Sequence, residues 1–268
     1  MTKIKKAEST VALLRGKMFV GTSGWSYEHW RDIFYPGDLP KKEHFNFYAG
    51  QFSTVELNAT FYRLFPEKTF QNWRDKAPEG FLYAVKMWRW ITHRKKLKQS
   101  DDDLRTFLSR ALLLKEHLGP LLVQLPPSLQ RDDETLRLFL KSLERVQQHL
   151  KQKFRVAVEF RHPDWLVEEV FRILAEAHVA LCLADMPRLQ FPRVITSDFT
   201  YVRFHGRPRL YQSLYPQEQL TEWGDWLGEL LMNGKDVFAY FNNDFNAHAV
   251  QNARQLQQIL SVKNKLQN

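Results

Sequence analysis

Eight short apolar runs recur along this chain, with helix-like segments lying between them. The runs cover residues 19–25, 54–62, 81–87, 120–125, 154–161, 179–185, 201–205 and 237–242. Between them, Leu104, Phe107, Leu108, Ala111 and Leu112 keep a helical spacing, as do Leu136, Phe139, Leu140 and Leu143. Val167, Val170, Phe171 and Leu174 do the same, then Leu220, Trp223, Leu227 and Leu230, and a last helix is expected over 247–260. Ser100 with Asp103 reads as a capping box. Strands that alternate with helices pair in parallel, because a parallel crossover needs about a dozen residues or more of chain. Eight such units close into a barrel. An open doubly wound sheet would carry a Gly-rich phosphate loop after its first strand; Gly21-Thr22-Ser23-Gly24 is not one. The expectation is an α/β chain with a single (β/α)8 TIM-type barrel over 18–262. A short basic extension, read as disordered, precedes it over 1–17.

Composition agrees. The 268 residues are 44% hydrophobic, enough for a sizeable core. Cys182 is the lone cysteine, so no intrachain disulfide forms, which suits a reducing compartment. The apolar patch from Val11 to Leu14 is too short for a signal-peptide core, and no run approaches the ~18–20 residues of a membrane span. A cytoplasmic location away from membranes is the expectation. Lys3, Lys5, Lys6, Arg15 and Lys17 against Glu8 supply +4 of the formal +9. Lys86, Arg89, Arg94, Lys95, Lys96 and Lys98 supply +6 with no acid among residues 86–98, so the rest of the chain is close to neutral.

Side chains alternate along a strand, and in such a barrel the inward set lines the mouth at the C-terminal end. Val156, Val158 and Phe160 read as facing the helices, so Ala157, Glu159 and Arg161 face in. By the same rule Arg203 and His205 face in from strand 7. Glu56, Asn58 and Thr60 do so from strand 2, and Lys86 from strand 3. Gln124, Asp185 and Ser23 are the inward polar groups of strands 4, 6 and 1, and Tyr240, Asn242 and Asp244 those of strand 8. Every strand thus brings a polar group to one end. Burying that many charges for structure alone is costly, so the mouth reads as functional.

These residues carry a family resemblance. The chain resembles the YecE-like family, domain-of-unknown-function family seventy-two. The matching segments are Gly21-Thr22-Ser23-Gly24-Trp25 with Tyr27 and Trp30, Phe34-Tyr35-Pro36, and Val55-Glu56-Leu57-Asn58-Ala59-Thr60-Phe61-Tyr62. Ala84-Val85-Lys86, Ile91-Thr92-His93 and Gln124-Leu125-Pro126 follow. Glu159-Phe160-Arg161-His162-Pro163 with Trp165, Tyr201-Val202-Arg203-Phe204-His205-Gly206 and Tyr240-Phe241-Asn242-Asn243-Asp244 complete the set. Leu57 and Ala59 depart from the isoleucine and serine common there. The resemblance implies the barrel and supplies no reaction.

The residue types define several chemistries. Lys86, Arg161 and Arg203 converge to hold a phosphate or carboxylate, with Arg207 and Arg209 above strand 7. Glu159 and His205 are the candidates for proton transfer, with Lys86 beside them as a third catalytic candidate. Glu56, Asn58, Asp185, Tyr240, Asn242 and Trp25 would orient the substrate. Glu56 and Glu159 could instead flank a glycosidic bond, with Trp25, Trp88 and Tyr62 stacking on sugar faces. Glu159, Asp185 and His205 make a conceivable divalent-metal set, disfavoured because Arg161, Arg203 and Lys86 crowd it with positive charge. The cofactor requirement stays open. A Schiff base on Lys86 is opposed by its acidic neighbours, which would hold its pKa up. Cys182 reads as an inert core residue, and Trp223 and Trp226 as helix–barrel packing. The leading expectation is an enzyme acting on a small anionic substrate at the mouth. Its competitor is a non-catalytic single-stranded nucleic-acid binder using Arg89, Arg94, Lys95, Lys96 and Lys98 interleaved with Trp88, Trp90 and His93. Oligomeric state is not encoded legibly.

Overall fold

Runs rich in valine, leucine and aromatic residues fit a pleated surface buried on both faces, and all eight form parallel strands. In the computed structural model, which describes residues 15–266, these are β1 (Met18–Thr22), β2 (Thr54–Leu57), β3 (Leu82–Lys86), β4 (Leu118–Gln124), β5 (Val156–Glu159), β6 (Ala180–Asp185), β7 (Phe199–Phe204) and β8 (Asp236–Phe241). The helices are α1 (His44–Ala49), α2 (Ala59–Tyr62), α3 (Glu67–Lys76), α4 (Asp101–Ala111), α5 (Asp133–His149), α6 (Glu168–Glu176), α7 (Gln217–Met232) and α8 (His248–Leu266). Hydrogen-bonded neighbours run β1-β8-β7-β6-β5-β4-β3-β2, so the sheet curls into a nearly closed TIM-type barrel.

A side chain closes the remaining seam between β1 and β2. The buried Tyr48 hydroxyl accepts from Thr22 N at 3.0 Å and from Thr22 Oγ1 at 2.9 Å, and donates to Thr54 O at 3.1 Å. It thus stands in for ladder bonds that the two strands do not make with each other. Gly21 permits the approach, since a Cβ there would lie 2.3 Å from Thr54 O.

Two apolar sets share the strands. Val55, Leu57, Val85, Val123, Val158, Val202 and Ala239 face the helices, where each buried aliphatic side chain contributes roughly 1.5–3 kcal/mol. The other set fills the barrel. Phe199 and Phe238 plug the N-terminal end, with Phe19 stacked on Phe238 at 4.7 Å. Above them the small residues Ala84, Ala157 and Cys182 leave room for Tyr201 and Tyr240. The third level is polar, and the candidate site lies there.

Some expectations change. Residues 59–62, read as the end of strand 2, form α2. Thr60 Oγ1 donates to Leu57 O (2.8 Å) and lies equally close to Lys86 O (2.7 Å), turning the chain out of the sheet. Ser100 Oγ donates to Leu97 O rather than capping α4, whereas α5 is capped by Asp132, which accepts from Thr135 N at 2.9 Å. Of the basic extension, residues 1–14 lie outside the described residues. Arg15 and Gly16 already bond to Leu231 O. Among the described residues, no helix is long and apolar enough to cross a membrane.

Candidate functional site at the barrel mouth

Arg203, at the end of β7, is the centre of the polar level. Its side chain is 1% exposed, and its two terminal nitrogens part between two carboxylates. Nη1 donates to Glu159 Oε2 at 2.7 Å and Nη2 to Glu56 Oε1 at 2.8 Å. Glu56 is the penultimate residue of β2 and Glu159 ends β5, so one guanidinium ties three strands across the barrel. Tyr201, one inward position below, donates its hydroxyl to Glu56 Oε2 at 2.7 Å.

Arg161, just past β5, pairs through Nε with Glu159 Oε1. Its Nη2 meets His205 Nε2 at 3.0 Å and its Nη1 lies 3.5 Å from Met186 Sδ. A guanidinium has five N–H donors, so Arg161 keeps two to spare, and its side chain is 10% exposed. His205 Nδ1 lies 3.1 Å from the Asn242 amide. Because the guanidinium can only donate, His205 accepts at Nε2 and carries its proton on Nδ1. Asn242 then meets that proton through its oxygen, the amide's two ends being sterically alike.

The electrostatics follow from this pairing. Burial opposes ionisation of both glutamates. Arg203 and Lys86, aided by hydrogen bonds from Tyr201 and Arg203, more than offset it at Glu56 and hold that carboxyl below the usual range. Arg161 and Arg203 do so more strongly at Glu159. His205 is pushed down to about 3 by burial, then by Arg161 and Arg203, so its ring is neutral.

Lys86, at the end of β3, behaves differently. Among the described residues its ammonium makes no hydrogen bond or ion pair; Nζ sits 4.2 Å over the Phe61 ring. The residue is 8% exposed. Burial lowers its pKa first and Arg203 second, against Glu56 and Glu159, to about 7. The sequence-based expectation that the carboxylates would hold it up is therefore corrected: both glutamates are neutralised by arginines, and burial prevails.

Phe61 organises a second lobe. Arg89 lies over it at 5.8 Å and the His93 ring meets it edge-on at 4.9 Å. Thr92 Oγ1 lies 2.9 Å from His93 Nδ1, and burial with nearby Lys86, Arg89 and Arg161 drives His93 down to about 4. At the β1–β2 side, Asn58 Nδ2 donates to Ser23 O, while Ser23 Oγ and Asn58 Oδ1 are buried without partners among the described residues. Such orphans are uncommon and suit a ligand's hydroxyl groups. Tyr27, whose hydroxyl donates to Ser23 O, borders the same region.

The mouth therefore gathers Glu56, Asn58, Lys86, Glu159, Arg161, Arg203, His205 and Asn242, as expected from the alternation. Three expected residues stand elsewhere. Asp185 shares the helix-facing phase of Leu181 and Leu183. Its carboxylate accepts from Trp223 Nε1 at 3.1 Å and pairs with Arg207 at 3.0 Å, and burial raises its pKa. It does not join Glu159 and His205, so the supposed metal set does not converge. The same pair removes Arg207 from anion binding, although Arg209 stays exposed. Tyr240 lies in the middle level, fully buried, with its hydroxyl 2.7 Å from Thr54 Oγ1. Trp25 packs edge-on against Phe45 of α1, and its carbonyl accepts from Tyr35 OH. Tyr201 and Phe61 were missed, and His93 was placed only in the nucleic-acid segment. Tyr201 was visible as the inward residue two before Arg203; Phe61 was hidden by reading its segment as strand.

The basic segment after β3 forms a π-helical turn over Trp90–Arg94, closed by Lys95 N donating to Trp90 O at 2.8 Å. Trp88 and Trp90 stack at 5.9 Å. Lys95 is committed to Asp103 at 2.5 Å, Arg89 lies over Phe61, and Arg94, Lys96 and Lys98 are exposed.

Comparison with known proteins fits this geometry. The model of the "Protein of unknown function DUF72" family matches residues 19–268. The chain belongs to the DUF72 family. It is 25% identical to the UPF0759 protein YunF of Bacillus subtilis over 92% of this chain and 95% of that protein. It is 29% identical to YecE of Escherichia coli K12 over 56% of this chain and 51% of that one. A DUF72 family crystal structure from Thermotoga maritima superposes with a TM-score of 0.81 at 28% identity, covering 91% of this chain and 99% of that one. An Enterococcus faecalis member at 20% identity (TM-score 0.76, 91% and 95% covered) shares the fold.

Proposed function

We propose that this DUF72 protein is an enzyme acting on a small anionic substrate, phosphate- or carboxylate-bearing, at the barrel mouth. The observation that carries this reading is the charge left over after pairing. Glu56 and Glu159 are matched by Arg203 and Arg161. Lys86 and Arg89 remain as surplus cations, and Arg161 keeps unused N–H donors. An anionic group fits the Arg161 side, with the rest of the substrate reaching Lys86. Ser23 Oγ and Asn58 Oδ1 take hydroxyls. The locked glutamates argue against glycoside cleavage by Glu56 and Glu159, because that chemistry needs one carboxyl protonated.

Thermal shift with inorganic phosphate, phosphate esters, carboxylates and neutral sugars tests the reading. An anion at 100 times its Kd adds about 2.7 kcal/mol. The expected result is stabilisation by one anionic class, lost in Arg161→Met. No response to any anion, or one indifferent to Arg161→Met, overturns it. The exposed, stacked Trp90 beside Arg94 and Lys96 favours the competing nucleic-acid reading. Binding of a single-stranded oligonucleotide that falls steeply with salt and is lost in Arg94→Ala/Lys96→Ala would replace the first reading.

A further inference from the structure

Beyond anion binding, the mouth holds one group whose setting the pairing network does not explain. Every other charged side chain at the polar level has a counter-ion or a hydrogen-bond partner, or lies toward the rim. Lys86 Nζ sits over an aromatic face with no polar partner among the described residues. A lysine kept only for charge balance would ion-pair with Glu56 or Glu159, and Arg203 makes those contacts instead. A lysine kept for packing would not sit at the C-terminal end of a barrel strand, where substrates approach.

The geometry points to Lys86 as an imine-forming lysine, its Nζ condensing with the carbonyl carbon of an anionic aldehyde or ketone held in the mouth. This rests on the anion reading above and specifies its substrate class. The ammonium first gives a proton to solvent. The free amine attacks the carbonyl carbon, the C–N bond forms, and the carbonyl π pair moves to oxygen, which takes a proton from nitrogen. The resulting hydroxyl takes a second proton, from solvent at the rim or through His93, which meets the same Phe61 ring, and departs as water. The product is a protonated C=N bond on Nζ; no oxidant or reductant is consumed. The surroundings supply what the step requires. Arg203 and Arg161 disfavour a further positive charge, and burial disfavours it more. Glu56 and Glu159 temper the effect and stabilise the iminium once formed.

The test uses the full chain and pyridoxal 5′-phosphate, a phosphate-bearing aldehyde, followed by borohydride reduction and peptide mass mapping. At pH 7 a lysine titrating near 7 holds roughly a thousandfold more free amine than one near 10.4. Allowing for restricted access, Lys86 should be modified at least about tenfold faster than surface lysines by this margin. Its rate should rise through about pH 7. In that pH range Glu56, Glu159 and Arg203 keep their charge and His93 and His205 stay neutral, so the profile reports Lys86 itself. Lys86→Arg, checked for folding by its melt, should lose the adduct. Modification spread over surface lysines, with Lys86 not leading, overturns the proposal, and the wild-type map decides this without any variant. Pyridoxine 5′-phosphate and pyridoxal separate the two readings. Stabilisation by the phosphate alcohol, with no adduct on Lys86 from the aldehyde, sinks the imine and leaves the anion reading standing. Equal labelling of Lys86 by neutral pyridoxal, unprotected by inorganic phosphate, supports the imine and sinks the anion reading.

Discussion

Replacing Arg203 by methionine removes the group that neutralises two fully buried carboxylates. Removing one partner of a buried ion pair costs about 3–5 kcal/mol, because the remaining charge is left uncompensated. Here Arg203 reaches Glu159 at 2.7 Å and Glu56 at 2.8 Å. The two losses do not add. Arg161 still holds Glu159, and the Tyr201 hydroxyl still reaches Glu56. Glu56 bears most of the damage, so about 3–5 kcal/mol remains the expectation near pH 7. At about 2–4 °C per kcal/mol for a chain of this size, Tm falls by roughly 6–20 °C. The pH dependence fixes the cause. In the wild type Glu56 is held below its ordinary value, so it contributes stability above the unfolded pKa and loses it as pH falls. In the variant burial acts unopposed by Arg203 and raises that pKa, so acid now favours the fold. The deficit should therefore shrink on acidification toward pH 4–5. Glu56→Gln in the Arg203→Met background leaves Glu159 paired with Arg161 and should recover more than half of the loss. The double-mutant cycle separates charge from lost packing. Urea melts of the four proteins measure it. An Arg203→Met variant within about 1 kcal/mol of wild type, or a double variant no better than the single, refutes the account.

Lys86 has a folded pKa near 7 against an ordinary 10.5, so the unfolded chain holds a proton that the folded one lacks between those values. The resulting cost is greatest below pH 7 and fades as pH rises to 10.5. Lys86→Met should be the more stable protein at pH 7, on the order of 2 kcal/mol or more, with the gap closing toward pH 10.5; melts across that range check it. Tyr48→Phe removes the hydroxyl that closes the β1–β2 seam and should cost about 1–3 kcal/mol by chemical denaturation. Gly206 has φ +90°, and a Cβ there would lie 2.9 Å from Arg209 O. Gly206→Ala should destabilise by about 1–3 kcal/mol and disturb the His205 resonance in NMR spectra.

Much of this arrangement was legible because a barrel strand repeats one rule eight times. Alternation alone placed Glu56, Lys86, Glu159, Arg161, Arg203 and His205 at one end. It misplaced Asp185 because polarity was allowed to outweigh phase: counted with Leu181 and Leu183, the residue faces the helices, where Trp223 receives it. Residues 59–62 read as strand because Thr60, Phe61 and Tyr62 favour a pleated surface, whereas the Thr60 hydroxyl turns back to the carbonyls of Leu57 and Lys86. Two features lay beyond any local pattern. The Tyr48 bridge joins a helix to two strands that sequence spacing leaves unrelated. The titration of Lys86 depends on which carboxylates are already taken, which only the assembled ring determines.

That dependence bears on the chemistry. A mouth containing two glutamates, a histidine and a lysine offers four acid–base groups on paper. Arg203 withdraws both glutamates by keeping them paired and ionised, and Arg161 withdraws His205 by donating to the nitrogen that would otherwise accept a substrate proton. These arginines thus do more than hold charge. By pairing with both carboxylates, they leave Lys86 without a direct ion pair and its amine near the balance between protonated and free at neutral pH. A group poised there is the one best matched to proton transfer or to nucleophilic attack. The reactivity of the site therefore resides at the end of β3, and the ion-pair lattice that surrounds it acts as the frame that makes that reactivity available.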